Sequence, residues 1–120
     1  MEITSLKPVR IVPANFGPLR GANGDARITG PCGDTMEFWV LVEEGRVKRA
    51  TFTTDGCDNS MRCGSAAATL AEGKTLDAAR AISQAAVLAA AGDVPEQSRH
   101  CGLLAANTLK AALATSLIPS

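Results

Sequence analysis

The sequence predicts an α+β domain, in which a small three-stranded antiparallel sheet is followed by helices that pack on it. Apolar residues alternate with other residues along Met36–Glu43 and Arg46–Thr54, on either side of Glu44-Gly45, as in a β-hairpin with a glycine-containing turn. After Gly56 the apolar residues recur every three or four positions, which is the period of helices. Strands that precede helices, rather than alternating with them, favour the α+β class.

The chain before the hairpin divides into two parts. Residues 1–22 contain Pro8, Pro13 and Pro18 and show no helical period, so we expect an extended, flexible or docking arm. The domain itself is then expected at residues 23–120. Its first strand is predicted at Asp25–Thr29, which completes a sheet of three strands.

Two helices are predicted directly after the hairpin. Asn59 or Ser60 is expected to cap the first, which runs to Glu72 and is stopped by Gly73. Thr75 then opens the second, which places Leu76, Ala79 and Ile82 at helical spacing.

Two further helices are predicted in the last third of the chain. Ser83 is a candidate cap for a helix over residues 84–91, closed by Gly92. The last helix is expected to begin near His100 and to place Leu109, Leu113 and Leu117 on one face.

Composition excludes several classes of protein. The chain has 120 residues, enough for one domain with a small core, and its 12 basic residues balance its 12 acidic ones. This balance predicts neither a nucleic-acid-binding surface nor a patch attracted to membranes. No apolar run is long enough to span a membrane, and the N-terminus lacks the apolar stretch of a signal peptide. We therefore expect a cytoplasmic protein with reduced thiols.

Three cysteines carry the strongest functional signal. Cys32, Cys57 and Cys101 are far apart in the chain, yet each lies beside a glycine or a predicted helix start. Such thiols are expected to be partly exposed, and a helix dipole favours their thiolate form, which binds soft metals and carries sulfur. Asp34 and the single histidine, His100, stand next to two of them. This pattern predicts a metal–sulfur site built from three loops, with iron or zinc as the metal.

Each residue of this set also has an ordinary structural interpretation. Instead of binding a metal, Asp34 could cap a backbone turn and Cys57 could occupy a half-buried core position. His100 could be an ordinary residue that caps a helix. The chain has no Cys-x-x-Cys pair, which argues against the common zinc motifs. Cys63 lies inside the first predicted helix, where it either reaches the site or packs among alanines.

Four motifs together resemble one protein family. They are Gly-Pro-Cys-Gly-Asp-Thr-Met at residues 30–36, Thr-Thr-Asp-Gly-Cys at 53–57, Glu-Gly-Lys-Thr-Leu-Asp-Ala-Ala at 72–79 and His-Cys-Gly-Leu-Leu-Ala-Ala-Asn-Thr-Leu-Lys-Ala-Ala at 100–112. In this order and spacing, they resemble the iron–sulfur cluster assembly scaffold proteins, the IscU and NifU N-terminal domain family. The resemblance covers the chain from Gly30 to about Leu113.

The resemblance implies a fold, a function and partners. The fold is that of IscU and SufE, and the function is a non-enzymatic scaffold. On such a scaffold a [2Fe-2S] or [4Fe-4S] cluster is assembled from iron and from sulfur supplied by a cysteine desulfurase, and then passes to recipient apo-proteins. Zinc is an expected occupant of the site when no cluster is bound.

The resemblance also implies roles for single residues. Cys32, Cys57 and Cys101 resemble the thiolate ligands of the cluster, Asp34 the oxygen ligand that keeps it labile, and His100 an alternative nitrogen ligand. Cys101 further resembles the cysteine that accepts persulfide sulfur, and a helix start next to His100 would raise its thiolate fraction.

Three departures from the family qualify these expectations. The segment that docks an Hsp70-type chaperone is here Val-Pro-Glu-Gln-Ser at residues 94–98, which argues against that partner. Many members carry a tyrosine near the N-terminus that helps them to dimerise. This chain has no tyrosine, so the sequence does not decide whether it forms a homodimer. Cys63 stands where many members have a small residue, and a fourth thiolate would hold the cluster more tightly.

Two other functions fit the same residues. One is a zinc-binding structural or protein-interaction domain. The other is a thiol-dependent sulfur transferase, with Cys101 as nucleophile and His100 as base. The chain offers few polar residues with which to build a substrate pocket, so we expect a protein that is not an enzyme.

Overall fold

The computed structural model describes residues 12–116, and their architecture confirms the predicted α+β class. Strands β1 (Gly24–Thr29), β2 (Thr35–Glu43) and β3 (Arg46–Thr54) form an antiparallel sheet in the order β1-β2-β3. The segments that follow are α1 (Asp58–Ala71), α2 (Leu76–Arg80), α3 (Gln84–Ala91), a short 3₁₀ helix (Glu96–Ser98) and α4 (His100–Thr115).

The hairpin between β2 and β3 turns on two residues, as predicted. Glu44 and Gly45 both adopt positive φ angles, 54° and 75°. This combination defines a type I′ turn, whose twist matches that of the flanking strands. A glutamate in this conformation is unusual because left-handed backbone crowds its Cβ atom.

Gly45→Ala is expected to destabilise the fold by about 1–2 kcal/mol, because alanine disfavours the left-handed conformation. Glu44→Asn is expected to act in the opposite direction, since asparagine tolerates that conformation well. Urea unfolding of both variants tests this, with the slope of the transition checked for constancy. Equal midpoints for Gly45→Ala and the wild type would contradict the turn geometry.

The core lies between one face of the sheet and the helices. Met36, Phe38 and Val40 of β2 point into it and are fully buried, as are Ala50 and Phe52 of β3. Helix α1 packs on β3, α4 packs on β1 and β2, and α3 packs against both α1 and α4. The facing helical residues are mostly alanine and leucine, which lets the helices approach the sheet closely.

Two glycines make this approach possible. A Cβ atom at Gly64 of α1 would lie 2.4 Å from the Phe52 ring, and one at Gly24 of β1 would lie 2.5 Å from the carbonyl oxygen of Ala112 in α4. Both distances are shorter than real Cβ contacts, so a side chain at either glycine would push a helix away from the sheet.

Helix α1 begins earlier than predicted. Its N-cap is Cys57 rather than Asn59 or Ser60, because the backbone is still extended at Cys57 and Met61 N–H donates to the Cys57 carbonyl. Ser60 is therefore a helical residue. The helix ends after Ala71, and Glu72 is its C-cap.

The other helix boundaries agree better with the sequence. The Thr75 and Ser83 hydroxyls accept hydrogen bonds from the N–H groups three residues on, as predicted caps do. Helix α2 ends at Arg80, so Ile82 is buried in the connection to α3 rather than in the helix. Leu109 and Leu113 are buried on one face of α4, whereas Leu117 lies outside the described residues.

Residues 12–22, part of the segment expected to form an extended, flexible or docking arm, pack on the domain. Phe16 forms an isolated parallel bridge with Phe52, and their rings meet edge to face at 5.3 Å. The Asn15 amide also donates to the carbonyl of Ser65 and the hydroxyl of Thr69 in α1. The contact of the Phe16 ring with Phe52 holds the segment on the domain, although the segment has no regular secondary structure. Residues 1–11 lie outside the described part.

No helix within residues 12–116 combines the length and the apolar character that crossing a membrane requires.

Candidate metal centre

Two distant segments bring three metal-ligating side chains together. Asp34 lies in the turn between β1 and β2, whereas His100 and Cys101 form the first turn of α4. One ligand atom of each lies within 4.8 Å of the others. The Cys101 sulfur is 3.8 Å from His100 Nε2. A group of oxygen, nitrogen and sulfur atoms at this spacing is able to bind one metal ion.

The turn that carries Asp34 is built on glycine. Gly30 N–H donates to the Asp34 carbonyl at 2.8 Å, and Gly33 N–H donates to the Gly30 carbonyl at 3.0 Å. Gly33 has a φ of 90°, which a residue with a side chain would rarely adopt. Cys32 lies in this turn with an exposed side chain, and it is not part of the 4.8 Å group.

Cys57 lies at the edge of the group as the N-cap of α1, with an exposed thiol. The backbone N–H of Ser60 is the main reason why the pKa of this thiol is below its ordinary value, and the Asn59 N–H acts in the same direction. Neither contact has the geometry of a regular side-chain cap, so the stabilisation comes from N–H dipoles at the helix start. The direction of this pKa shift is the one expected for a thiol at a helix start.

Cys101 differs from the prediction made for it. Its side chain is only 1% exposed, and burial raises the pKa of its thiol. The Ser60 hydroxyl opposes this shift, whereas the nearby Cys57 thiol adds to it. The helix start does not make Cys101 a partly exposed thiolate, because burial between α1 and α4 outweighs the helix dipole.

Cys63 is buried in α1 with no exposed surface. Burial, with smaller contributions from the Cys101 and Cys57 thiols, raises the pKa of its thiol to about 11. Cys63 is three residues beyond Ser60, and thus on the same face of the helix one turn deeper. It is not part of the 4.8 Å group.

Ser60 lies in the candidate site, although the sequence suggested only a helix cap at this position. Its hydroxyl donates to Asp34 Oδ2 at 3.2 Å and lies 3.3 Å from the Cys101 sulfur. The residue is fully buried. Its place in the sequence, three residues after Cys57 at a helix start, suggested a cap rather than a contact to two distant segments.

The connection from α3 to α4 is held in place by side chains of α1 and α3. Arg62 of α1 donates to the carbonyls of Ala91 and Asp93, at the end of α3 and just beyond. Gln84 of α3 donates to the carbonyl of Arg99, directly before His100. These bonds fix the loop from which His100 and Cys101 emerge.

Cys57 is expected to react with iodoacetamide faster than Cys63 in the reduced, metal-free protein at about pH 8. The thiolate is the reacting form, so the lowered pKa and exposure of Cys57 favour it, whereas the pKa of about 11 and the burial of Cys63 protect that thiol. Mass spectrometry of peptides after limited labelling measures the order, with exposed Cys32 as the control for access. Equal labelling of Cys63 and Cys57 would contradict the structure.

Comparison with known proteins places the chain in a family. The sequence profile of the NifU-like N terminal domain matches residues 11–116. The iron-sulfur cluster assembly scaffold protein IscU 1 of Archaeoglobus fulgidus is 36% identical over 102 residues, which are 84% of this chain and 67% of that protein. The IscU scaffold protein of Escherichia coli K12 is 34% identical over 93 residues, covering 76% of this chain and 72% of the relative.

A solved structure supports the fold. The N-terminal part of a nitrogen-fixing NifU-like protein from Brucella abortus superimposes with a TM-score of 0.65 at 20% identity, covering 86% of this chain and 85% of that one. The family profile spans all of the described residues, including the turn of Asp34, the N-cap Cys57 and the start of α4. The chain therefore belongs to the family of NifU-like N-terminal domains.

Proposed function

We propose that this protein is a scaffold on which iron–sulfur clusters are assembled and from which they are transferred to apo-proteins. The observation that supports this most directly is the convergence of Asp34, His100 and Cys101, with the Cys57 thiol near enough to influence the pKa of Cys101. Relatives that share the family domain are named as iron–sulfur cluster assembly scaffolds. A scaffold needs ligands that hold a cluster and also release it, and a mixed set of sulfur, nitrogen and oxygen atoms suits both needs.

The ligand set we propose is Cys32, Cys57 and Cys101, with Asp34 and His100 as exchangeable ligands. The three thiolates suit iron, and the carboxylate is a harder ligand that leaves more readily. Cys32 has an exposed side chain and lies in the same glycine turn as Asp34. The cargo is a [2Fe-2S] or a [4Fe-4S] cluster, and zinc is a competing occupant of the same atoms.

Sulfur is proposed to come from a cysteine desulfurase as a persulfide. Cys101 is the proposed acceptor, by its resemblance to the family. Because its side chain is 1% exposed, the docked desulfurase has to uncover it, or sulfur has to arrive first at exposed Cys57. Transfer with ³⁵S-labelled cysteine, followed by peptide mapping without reductant, identifies which thiol carries the sulfur.

The remaining partners follow from the same proposal. Recipient apo iron–sulfur proteins accept the cluster, and the protein itself turns over no substrate. The 94–98 segment argues against an Hsp70-type chaperone, a homodimer that shares one cluster remains an option, and the proposed location is the cytoplasm. No nucleic acid or membrane partner is proposed.

Anaerobic reconstitution tests the proposal. The full chain is incubated with ferrous iron, a cysteine desulfurase and cysteine, and the visible spectrum and the Mössbauer signal are followed. The loaded protein is then mixed with an apo-ferredoxin. A chromophore that forms and passes to the ferredoxin supports the scaffold.

Two other results of this experiment would favour the alternatives. Tight retention of zinc, with no chromophore when iron and sulfide are supplied, would indicate a structural zinc domain. Catalytic release of sulfur to a small acceptor without bound iron would indicate a sulfur transferase.

Cys63→Ser is expected to shorten the lifetime of the cluster, on the hypothesis that Cys63 supplies a fourth thiolate. The side chain lies on the Ser60 face of α1, close enough to Cys101 and Cys57 for their charges to raise its pKa. Loss of absorbance after addition of a chelator gives the lifetime, and Ser65→Ala in the same helix is the control. Identical cluster yield, spectrum and transfer rate in Cys63→Ser and the wild type would exclude this ligand.

A further inference from the structure

The hydroxyl of Ser60 contacts residues of every segment that forms the proposed site. Its oxygen lies 3.2 Å from Asp34 Oδ2 in the β1–β2 turn and 3.3 Å from the Cys101 sulfur in α4. The same hydroxyl interacts with the Cys57 thiol at the start of α1. Ser60 is fully buried, so water does not compete for these contacts.

These contacts are not what a serine in a helix usually makes. A helical serine commonly turns its hydroxyl back to the carbonyl one turn earlier. Ser60 instead bonds residues that are 26 and 41 positions away in the chain. The hydroxyl therefore serves the site rather than its own helix.

The neighbouring backbone makes room for this arrangement. A Cβ atom at Gly56 would lie 2.5 Å from the Ser60 hydroxyl and 2.8 Å from Asp34 Oδ2. Any larger residue at position 56 would displace one partner of this hydrogen bond. Glycine at position 56 therefore leaves room for the hydrogen bond between Ser60 and Asp34.

We propose that Ser60 is a positioning residue of the metal site, which holds Asp34 and Cys101 side by side before metal binds and is able to donate to the Cys101 sulfur afterwards. The inference deepens the proposed function and rests on its ligand set. A hydroxyl has a single proton, and both a carboxylate and a metal-bound thiolate only accept hydrogen bonds. In the loaded site that proton serves either Asp34 or Cys101.

Because the Ser60 hydroxyl donates to one acceptor at a time, it couples the proposed ligands Asp34 and Cys101. While the hydroxyl donates to Asp34, the sulfur of Cys101 keeps its full charge for the metal. When it donates to Cys101, the sulfur gives less charge to the metal, and Asp34 is free of its partner. Residues that bond to ligands in this way typically change metal affinity by about 10- to 100-fold when removed.

The first test uses zinc alone, so that it does not depend on cluster assembly. Ser60→Ala is expected to bind Zn²⁺ about 10- to 100-fold more weakly than the wild type in a chelator competition. Thr108→Val is the matched control, because it also removes a buried hydroxyl, which bonds only its own helix at the Leu104 carbonyl. The control is expected to bind zinc as the wild type does.

A double-mutant cycle separates positioning from a general structural effect. Ser60→Ala should weaken zinc binding less in an Asp34→Ala background, since the contact between Ser60 and Asp34 is already absent there. In cluster-loaded protein, Ser60→Ala should shift the reduction potential to more negative values, because a hydrogen bond to a cluster thiolate is lost. Thr108→Val should leave the potential unchanged.

Three results would overturn the inference: wild-type zinc affinity in Ser60→Ala, an equal loss in Thr108→Val, or strict additivity with Asp34→Ala. Failure of the wild type to build any cluster would instead contradict the scaffold proposal, while the zinc measurements would still decide the role of Ser60.

Discussion

Cys101→Ser is expected to reduce cluster assembly to background while the fold stays intact. Cys101 is the residue on which the site converges, since its sulfur lies 3.3 Å from the Ser60 hydroxyl and 3.8 Å from His100 Nε2. A serine hydroxyl does not ionise near neutral pH and is a poor ligand for iron, so both the proposed ligand and the proposed sulfur acceptor are lost. Serine is nearly the same size as cysteine, so little packing is disturbed.

The readouts are the visible absorbance after anaerobic reconstitution and the thermal unfolding midpoint of the metal-free protein. Thr108→Val in the same helix is the control, and it should assemble the cluster normally. A wild-type yield of cluster on folded Cys101→Ser would show that the cluster is held elsewhere. If Cys101→Ser loses both the cluster and the folded state, His100→Ala is the variant to test next. It removes a neighbouring proposed ligand from a half-buried position, where the fold is less affected.

Gly64→Ala is expected to destabilise the domain by about 1–3 kcal/mol or more, the usual effect of overpacking a core. Its new methyl group would meet two carbons of the fully buried Phe52 ring at 2.4 and 2.5 Å. Phe52 cannot move aside easily, since Phe16 contacts it edge to face and Phe38 packs at 5.9 Å. The higher helix propensity of alanine, worth up to about 1 kcal/mol, offsets only part of this loss.

Chemical denaturation measures this effect, with Ser65→Ala as the neighbouring control. Ser65 is half-buried and follows Gly64 in α1, so its change to alanine should alter the free energy of unfolding by a few tenths of a kcal/mol at most. Gly64→Ala should also weaken metal binding, because a shift of α1 carries Ser60 and Cys57 with it. A Gly64→Ala protein as stable as the wild type would contradict the close packing of α1 on β3.

The local structure was largely predictable because local chemistry specifies it. The alternation along Met36–Glu43 and Arg46–Thr54 identified the hairpin within a residue, and the Thr75 and Ser83 caps were found by their side chains. The start of α1 was misplaced because cysteine is not a usual cap, so the polar residues that follow it appeared more suitable.

The features that depend on tertiary packing were not predictable in this way. The burial of Cys101 arises from α1 and α4 closing over it, and the packing of Phe16 arises from an aromatic contact across the domain. Ser60 became recognisable as a site residue only when the turn of Asp34 and the start of α4 were placed beside it. The motifs pointed to the proposed ligands, whereas Ser60, which contacts two of them, was found only in the three-dimensional structure.

In the site proposed for this protein, three separate segments of the chain bind one metal ion. Anaerobic titration with Co²⁺, which substitutes for zinc, tests it directly, because the sulfur-to-cobalt charge-transfer absorbance grows with the number of thiolate ligands. One equivalent of Co²⁺ should bind, and Cys32→Ser, Cys57→Ser and Cys101→Ser should each lose a share of that absorbance. Unchanged absorbance in these variants, or binding that none of them weakens, would contradict a shared site.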